Sequence, residues 1–429
     1  MRLSRAAVAT SGRAWTIGYG AMFVCSWGGN QFSPLLLLYK QHEHYSTLIV
    51  NMLLGVYVLG LAPALLVSGA VSDRCGRRPV MVAGLLAAVC GSAVLACGPL
   101  GVAALFAGRL LSGVTVGVAM AVGTSWVKEL SQPPFDPGAD VASGARRSST
   151  AFTLGSGLGA LVAGGIAQLT PWGVELPFVV HIAATLPFLA LVPLVPETSD
   201  IGAERGPLWR QLRVPSAAHR RFGRVVIVAA PWIFAAAAIA YGYLPVLLAG
   251  RTGGWGIGYA TGLCVVTLGT ATLVQPVAKR VHSLESARGL ALCIAAVGVG
   301  LACVVLAVRT DSLLVGALAC VILGAGVGTG LVSGLLEVQR IAGAHDLAGL
   351  TGIFYAVAYA GFLAPTVLAS LTSVAGVSTL LGCMVLLAAA ALALVLALSH
   401  RYLPGPGPGP GPAAAPREPA GTGTVRADA

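Results

Sequence analysis

Twelve apolar runs, each near or above the ~20 residues needed to cross a bilayer as a helix, constrain this chain more than any other feature. They cover residues 14–38, 47–71, 79–99, 101–127, 148–170, 175–195, 224–249, 256–277, 288–308, 312–336, 347–373 and 376–398. Hydrocarbon offers no partners for backbone N–H and C=O groups, so a spanning segment must be a helix or a strand of a closed barrel. Barrel strands are short and alternate in polarity. These runs are long and continuous, and helices follow. Only 10% of the chain is charged against 56% hydrophobic, whereas soluble domains carry roughly a quarter charged residues, and a water-soluble fold is excluded. The first run is too long for a signal-peptide core, so residues 1–13 are expected to be a retained cytoplasmic leader.

The distribution of positive charge orients the runs, because short cytoplasmic loops accumulate Lys and Arg. With the N-terminus inside, 22 of the 26 Lys and Arg fall on cytoplasmic segments. Lys40, Arg251 and Arg309 fall outside, and Arg109 lies within a run. Both termini are then cytoplasmic, in a multi-pass protein of the plasma or inner membrane. The net charge of +11 is accounted for without nucleic acid, whose binding would gather arginines on one soluble face. Nine cysteines without a Cys-x-x-Cys pair suggest neither a disulfide framework nor a metal site.

The longest polar interval, 197–223, divides the runs six and six. It predicts two bundles, 14–196 and 224–398, joined by a basic cytoplasmic linker. A shift of roughly 210 residues sets "NQFSPLL" (30–36) against "YGYLPVL" (241–247), so that Pro34 meets Pro245. Similar shifts pair Glu129 with Glu337 and Gly159 with Gly361, the pattern of parallel transporter repeats. Residues 399–429, with "PGPGPGPGP", have no apolar face to bury and are expected to form a disordered cytoplasmic tail.

Charge is concentrated in "GAVSDRCGRRPV" (69–80), between the second and third runs. Gly69, Asp73, Arg74, Gly76, Arg77 and Arg78 resemble the signature loop of the major facilitator superfamily, and the resemblance extends over about 14–398. "LFAGRLLSGVTVG" resembles the family's fourth-helix pattern through Arg109 and Gly113, with Ser112 in place of the usual Gln. "GSGLGALVAGG" resembles the fifth-helix pattern of drug/proton antiporters through Gly155, Gly159 and Gly164; Ala160 and Ala163 stand where Pro and Gly are expected. "VPET" (195–198) is also similar. The resemblance implies an all-α membrane protein with twelve transmembrane helices in two pseudo-symmetric six-helix bundles. It also implies a cytoplasmic gate in which Asp73 faces the start of the eleventh helix, around Ala348 to Thr351, while Arg77 or Arg78 reaches Glu129. The alternative is that these arginines only satisfy topology. Small residues at four-residue spacing, including "GAGVGTG" (324–330), also serve close helix packing whatever the function; Pro34, Pro245 and Gly361 are counted with them.

A charged side chain deep in a bilayer is costly and usually functional, which singles out Arg109. It lies roughly 12 Å from the outer end of its run, eight residues at 1.5 Å each, and Asn30 and Tyr241 stand at the same depth. The resemblance implies that the first, fourth, seventh and tenth helices line a central cavity. Asn30, Gln31, Arg109 and Tyr241 are therefore expected to surround a substrate, with Tyr243, Tyr355, Tyr359, Trp27 and Trp232 as further candidates. Packing alone is the alternative for Asn30, Gln31 and each aromatic residue, and for Arg109 the alternative is a guanidinium satisfied by backbone carbonyls and a neighbouring amide, holding helices together. No Asp or Glu occupies the middle of a run, and His181 is read as an interfacial residue.

The expected function is secondary transport of a small organic molecule by alternating access, as proton-linked efflux by a monomer in the lipid bilayer, without cofactor or metal. Import or uncoupled movement of an anionic metabolite, with Arg109 as counter-ion, is the alternative within the class. A membrane enzyme would need a nucleophile and base or metal ligands, and an ATP-driven pump a phosphate-binding loop; neither is found. A transport-dead receptor is the remaining alternative.

Overall fold

The computed structural model describes residues 13–140, 143–199, 213–283, 285–343 and 346–403. Most of the expected linker, and nearly all of the expected leader and tail, lie outside these residues. Eleven helices are long and apolar enough to cross a membrane. They are α2 (Thr47–Cys75), α3 (Arg77–Ala96), α4 (Val102–Leu130), α5 (Ser143–Leu169), α6 (Leu176–Leu194), α7 (Phe222–Leu247), α8 (Gly253–Val281), α9 (Arg288–Thr310), α10 (Leu313–Ile341), α11 (Leu347–Ser373) and α12 (Val377–Ala397). The twelfth, α1, runs from Ala14 to Asn30, breaks, and continues as Leu35–His42. No strand occurs among the described residues.

The break in α1 has a local cause. Proline lacks an N–H and its ring crowds the carbonyl four residues earlier; Pro34 thereby disturbs the helix at Asn30, and the chain turns through residues 31–34 before resuming. Pro245 disturbs α7 at Tyr241 in the same way, and there the helix widens into a π-turn over Ala238–Tyr243. The two deformations fall at equivalent places in the two halves.

Packing repeats between the halves as well. In the first, α1 packs on α5, α2 and α3 on α4, and α3 on α6; in the second, α7 packs on α11, α8 and α9 on α10, and α9 on α12. The closest approaches coincide. A Cβ on Gly113 would stand 2.0 Å from the Tyr57 carbonyl oxygen, and one on Gly324 would stand 2.5 Å from that of Thr267. Only glycine admits these contacts between α2 and α4 and between α8 and α10. The halves meet along α5 with α8 and α2 with α11.

Candidate functional site

A cavity of about 60 Å³ lies between the halves. From the first half it is lined by Ser26, Gly29, Asn30 and Ser33 of α1 and its break, Leu54 and Tyr57 of α2, Arg109 and Val116 of α4, and Phe152 and Ser156 of α5. From the second come Phe234 and Tyr241 of α7, Leu268 of α8, and Tyr359 and Phe362 of α11. It has room for about five waters at 10–15 Å³ each, well short of the 300 Å³ or more of a drug-sized site.

Arg109 is the single charge on the wall. Its Nε donates to the Leu53 carbonyl at 3.0 Å and its Nη1 to the Gly29 carbonyl at 3.2 Å. The guanidinium carbon lies 4.8 Å from the Phe32 ring centre and 4.7 Å from that of Tyr57. Two carbonyls and two π-faces hold the cation, and no carboxylate pairs with it among the described residues. Asn30 joins the halves: its Nδ2 donates to the Ser156 carbonyl at 3.4 Å and approaches Cys264 Sγ at 3.8 Å, while its Oδ1 accepts from Ser33 Oγ at 2.9 Å. Tyr359 stacks on Phe234 with ring centres 3.9 Å apart and donates to Met120 Sδ across the interface at 3.6 Å.

Of the residues singled out in sequence, Asn30, Arg109, Tyr241 and Tyr359 line the cavity. The others do not. Gln31, one position past Asn30, turns to α3, where its Nε2 donates to Ser92 Oγ at 3.2 Å. Tyr243 lies two residues from Tyr241, at the end of the π-turn, and is buried in the apolar core. Tyr355 sits one turn from Tyr359 and packs against it and Phe354. Trp27 packs on Phe23 and His181, and Trp232 against the apolar core. No residue of α10 is on the wall. His181, expected at the interface, is fully buried.

Sequence reasoning missed Tyr57, Phe152, Phe234 and Phe362, which in an apolar run carry no signal distinguishing cavity from core. The packing residues lie at helix crossings. Added Cβ atoms on Gly155 and Gly159 would stand 2.2 and 2.6 Å from the Phe23 and Trp27 carbonyl oxygens of α1; on Gly164, against the Thr261 side chain of α8; and on Gly361, 2.1 Å from the Pro231 oxygen of α7.

The loop 69–80 lies at the end of the molecule that carries most of the arginines, the basic end. Arg77 donates to Glu129 through Nη2 at 2.9 Å and Nε at 3.3 Å, and through Nη1 to Asp73 at 2.5 Å and Ser72 at 2.9 Å. Asp73, in the last turn of α2, thus engages Arg77 at the start of α3 and not the start of α11; Leu66 of α2 lies there, 3.1 Å from where a Gly352 Cβ would be. Arg78 joins through its backbone N–H, which donates to Glu197 at 3.0 Å, as does that of Arg77 at 2.7 Å. Glu197, of "VPET", caps α3 in this way, and Gly76, at φ 98°, leaves room for its carboxylate. Thr198 donates to Glu129. Arg74 closes the last turn of α2, and Gly69 faces open space.

Every ion pair among the described residues stays within one half. Hydrogen bonds across the interface gather toward the opposite end: Thr366 Oγ1 to the Asn51 carbonyl at 2.9 Å, and Gln168 with Gly254 and Gly258 at 2.8 Å each.

Comparison with known proteins places this arrangement. A family model described as Major Facilitator Superfamily matches residues 18–365. The chain is 32% identical over 154 residues to the multidrug efflux pump LfrA of Mycolicibacterium smegmatis, covering 34% of the chain and 28% of that protein. It is 38% identical over 81 residues to the class C tetracycline resistance protein of Escherichia coli, covering 19% and 20%. The chain therefore spans less than a third of the length of either. The crystal structure of a POT family transporter in complex with 5-aminolevulinic acid superposes with a TM-score of 0.73 over 91% of the chain and 96% of that one. At 13% identity this likeness is one of fold.

Proposed function

The chain belongs to the major facilitator superfamily, and on that premise we propose that it exports a small organic molecule across the plasma membrane by alternating access, coupled to inward movement of protons. Neither the family nor the fold is that of an enzyme. The observation that carries the reading is the cavity walled by residues of both halves, with one buried cation and a surround of aromatic rings. A pocket shared by two rigid bodies changes its access whenever they rock against each other. Similarity to LfrA, a multidrug efflux pump, and to a tetracycline resistance protein supports the outward direction.

The basic end is assigned to the cytoplasm, with both termini there and residues 197–223 as the linker between bundles 14–196 and 224–398. Contacts across the halves are then strongest on the outside, as in a carrier closed to the exterior. The gate is the Asp73–Arg77–Glu129 group, seated by Glu197 on the N–H groups of Arg77 and Arg78. Gly69, Arg74 and Gly76 shape the loop that carries it. The protein acts as a monomer.

Flux of tetracycline and a cationic dye through proteoliposomes, with and without an imposed pH gradient, tests the reading. Gradient-dependent movement is expected; its absence for both probes sinks proton-linked efflux. Arg109, without an acid partner among the described residues, favours one second reading, uptake of an anionic metabolite. Faster entry of aromatic carboxylates than of cations, independent of the gradient, would select it. Cys75, exposed beside the gate, reports sidedness: an impermeant maleimide should reach it only from the cytoplasmic face.

A further inference from the structure

His181 of α6 is a titratable side chain that the cavity does not use. Among the described residues it is the only His, Asp or Glu lying more than four residues from either end of its membrane helix. Its ring sits over Gly28, where a Cβ would stand 2.7 Å from Cε1. The next residue, Gly29, gives its carbonyl to Arg109, so imidazole and guanidinium meet α1 at adjacent positions.

The hydrogen bonds fix the tautomer. Nε2 lies 2.8 Å from the Val24 carbonyl, which can only accept, so Nε2 carries the hydrogen. Nδ1, 2.7 Å from Ser92 Oγ, therefore accepts from the hydroxyl, and the hydroxyl oxygen accepts from Gln31 Nε2 at 3.2 Å. Gln31 Oε1 is buried without a partner. The chain of donors runs from amide to hydroxyl to imidazole, and it can be reversed. With a proton added at Nδ1, the imidazolium donates to Ser92 Oγ. The hydroxyl then donates to Gln31, whose amide rotates half a turn to present Oε1. The same heavy atoms stay in contact in both charge states. A purely structural histidine would need only the first arrangement. Ser92, Gln31, Trp27, Thr185 and the Val24 carbonyl face the ring, and none is charged.

Gln31 is also the first residue of the break in α1, its own N–H bonded to the Trp27 carbonyl at 3.0 Å. Rotation of its amide thus acts on the hinge that positions Asn30 in the cavity. We propose that His181 is the binding site of the transported proton, and that Ser92 and Gln31 pass its charge state to the break in α1; this rests on the proton-linked reading above. The proton binds at Nδ1 from one side of the membrane and leaves the same atom toward the other after the halves rock.

Two measurements on the full chain test it. The Trp27 ring centre is 6.2 Å from that of His181, close enough for a charged imidazole to quench indole emission. In nanodiscs titrated downward from pH 8, emission should show a step that disappears in both His181→Gln and Trp27→Phe. A wild-type protein without a His181-dependent step overturns the proposal. In proteoliposomes, His181→Gln should lose at least tenfold of the gradient-driven flux of tetracycline or the dye while keeping downhill exchange. If the wild type responds to the gradient and His181→Gln responds equally, the proposal fails and proton-linked efflux stands. If the wild type does not respond, that reading fails and the coupling role with it. Should His181→Gln not fold, Ser92→Ala keeps the imidazole and removes the relay; a variant that titrates and couples as wild type overturns the assignment.

Discussion

Glu129 and Glu337 stand 208 residues apart at equivalent basic ends of α4 and α10, yet the two halves treat them differently. In the first half the partner is Arg77, at the hinge between α2 and α3, and the pair is part exposed, at 13% and 32%. In the second the partner is Arg221, at the start of α7, and the pair is dry, at 0% and 1%. Arg221 binds both Glu337 oxygens at 2.7 Å and donates to the Ser399 and Arg401 carbonyls past α12. The same acid in the same place forms a part-exposed pair when its partner comes from a hinge, and a dry rivet when the partner comes from a helix start and brings further acceptors with it.

The comparison breaks most readily at the rivet. Arg221→Ala leaves a buried carboxylate unpaired and should destabilise the protein by about 3–5 kcal/mol, read as a loss of thermal stability in detergent. If Arg77→Ala costs as much, the distinction between the halves is wrong. Gly113→Val and Gly324→Val sharpen it from the other side, since there the halves are alike. Each should cost about 3 kcal/mol by overpacking against a backbone carbonyl, and unequal losses would show that the repeat does not extend to packing. Glu129→Gln should cost only about 1 kcal/mol or less, while changing how fast the basic end opens, measured as maleimide labelling of Cys75.

The smallest effect is in acid. His282, just past α8 and beside the rivet, has its pKa lowered, first by burial and then by Arg340 and Arg221, against an opposing pull from Glu337. The folded chain therefore resists a proton that the unfolded chain accepts. This part of the stability is complete above about pH 6.5 and is lost as pH falls through the lower folded value. Thermal stability should fall modestly from pH 8 to pH 5, and less so in His282→Gln.

Much of this was legible in the chain itself. The twelve helices follow from run length and backbone desolvation, and Asn30 and Tyr241 were located by their depth, shared with Arg109. Arg109 stood out because a lone cation in an apolar run is expensive. What stayed hidden depended on facing. Tyr57 and Phe362 read as ordinary packing residues, Tyr243 and Trp27 read as candidates, and only the packed helices tell them apart. Glu197 looked like the end of a motif, since nothing local reveals that its carboxylate reaches back across more than a hundred residues to cap α3.

The glycine crossings have a mechanical consequence. Where Gly113 and Gly324 let backbones touch, little compliance remains between neighbouring helices, and each half behaves as a stiff lever. Helix α2, with 29 residues, is roughly 43 Å long, so a tilt of about 10° around its middle sweeps each tip through roughly 4 Å. A modest rotation thus opens one end of the molecule as it closes the other, without deforming either arm.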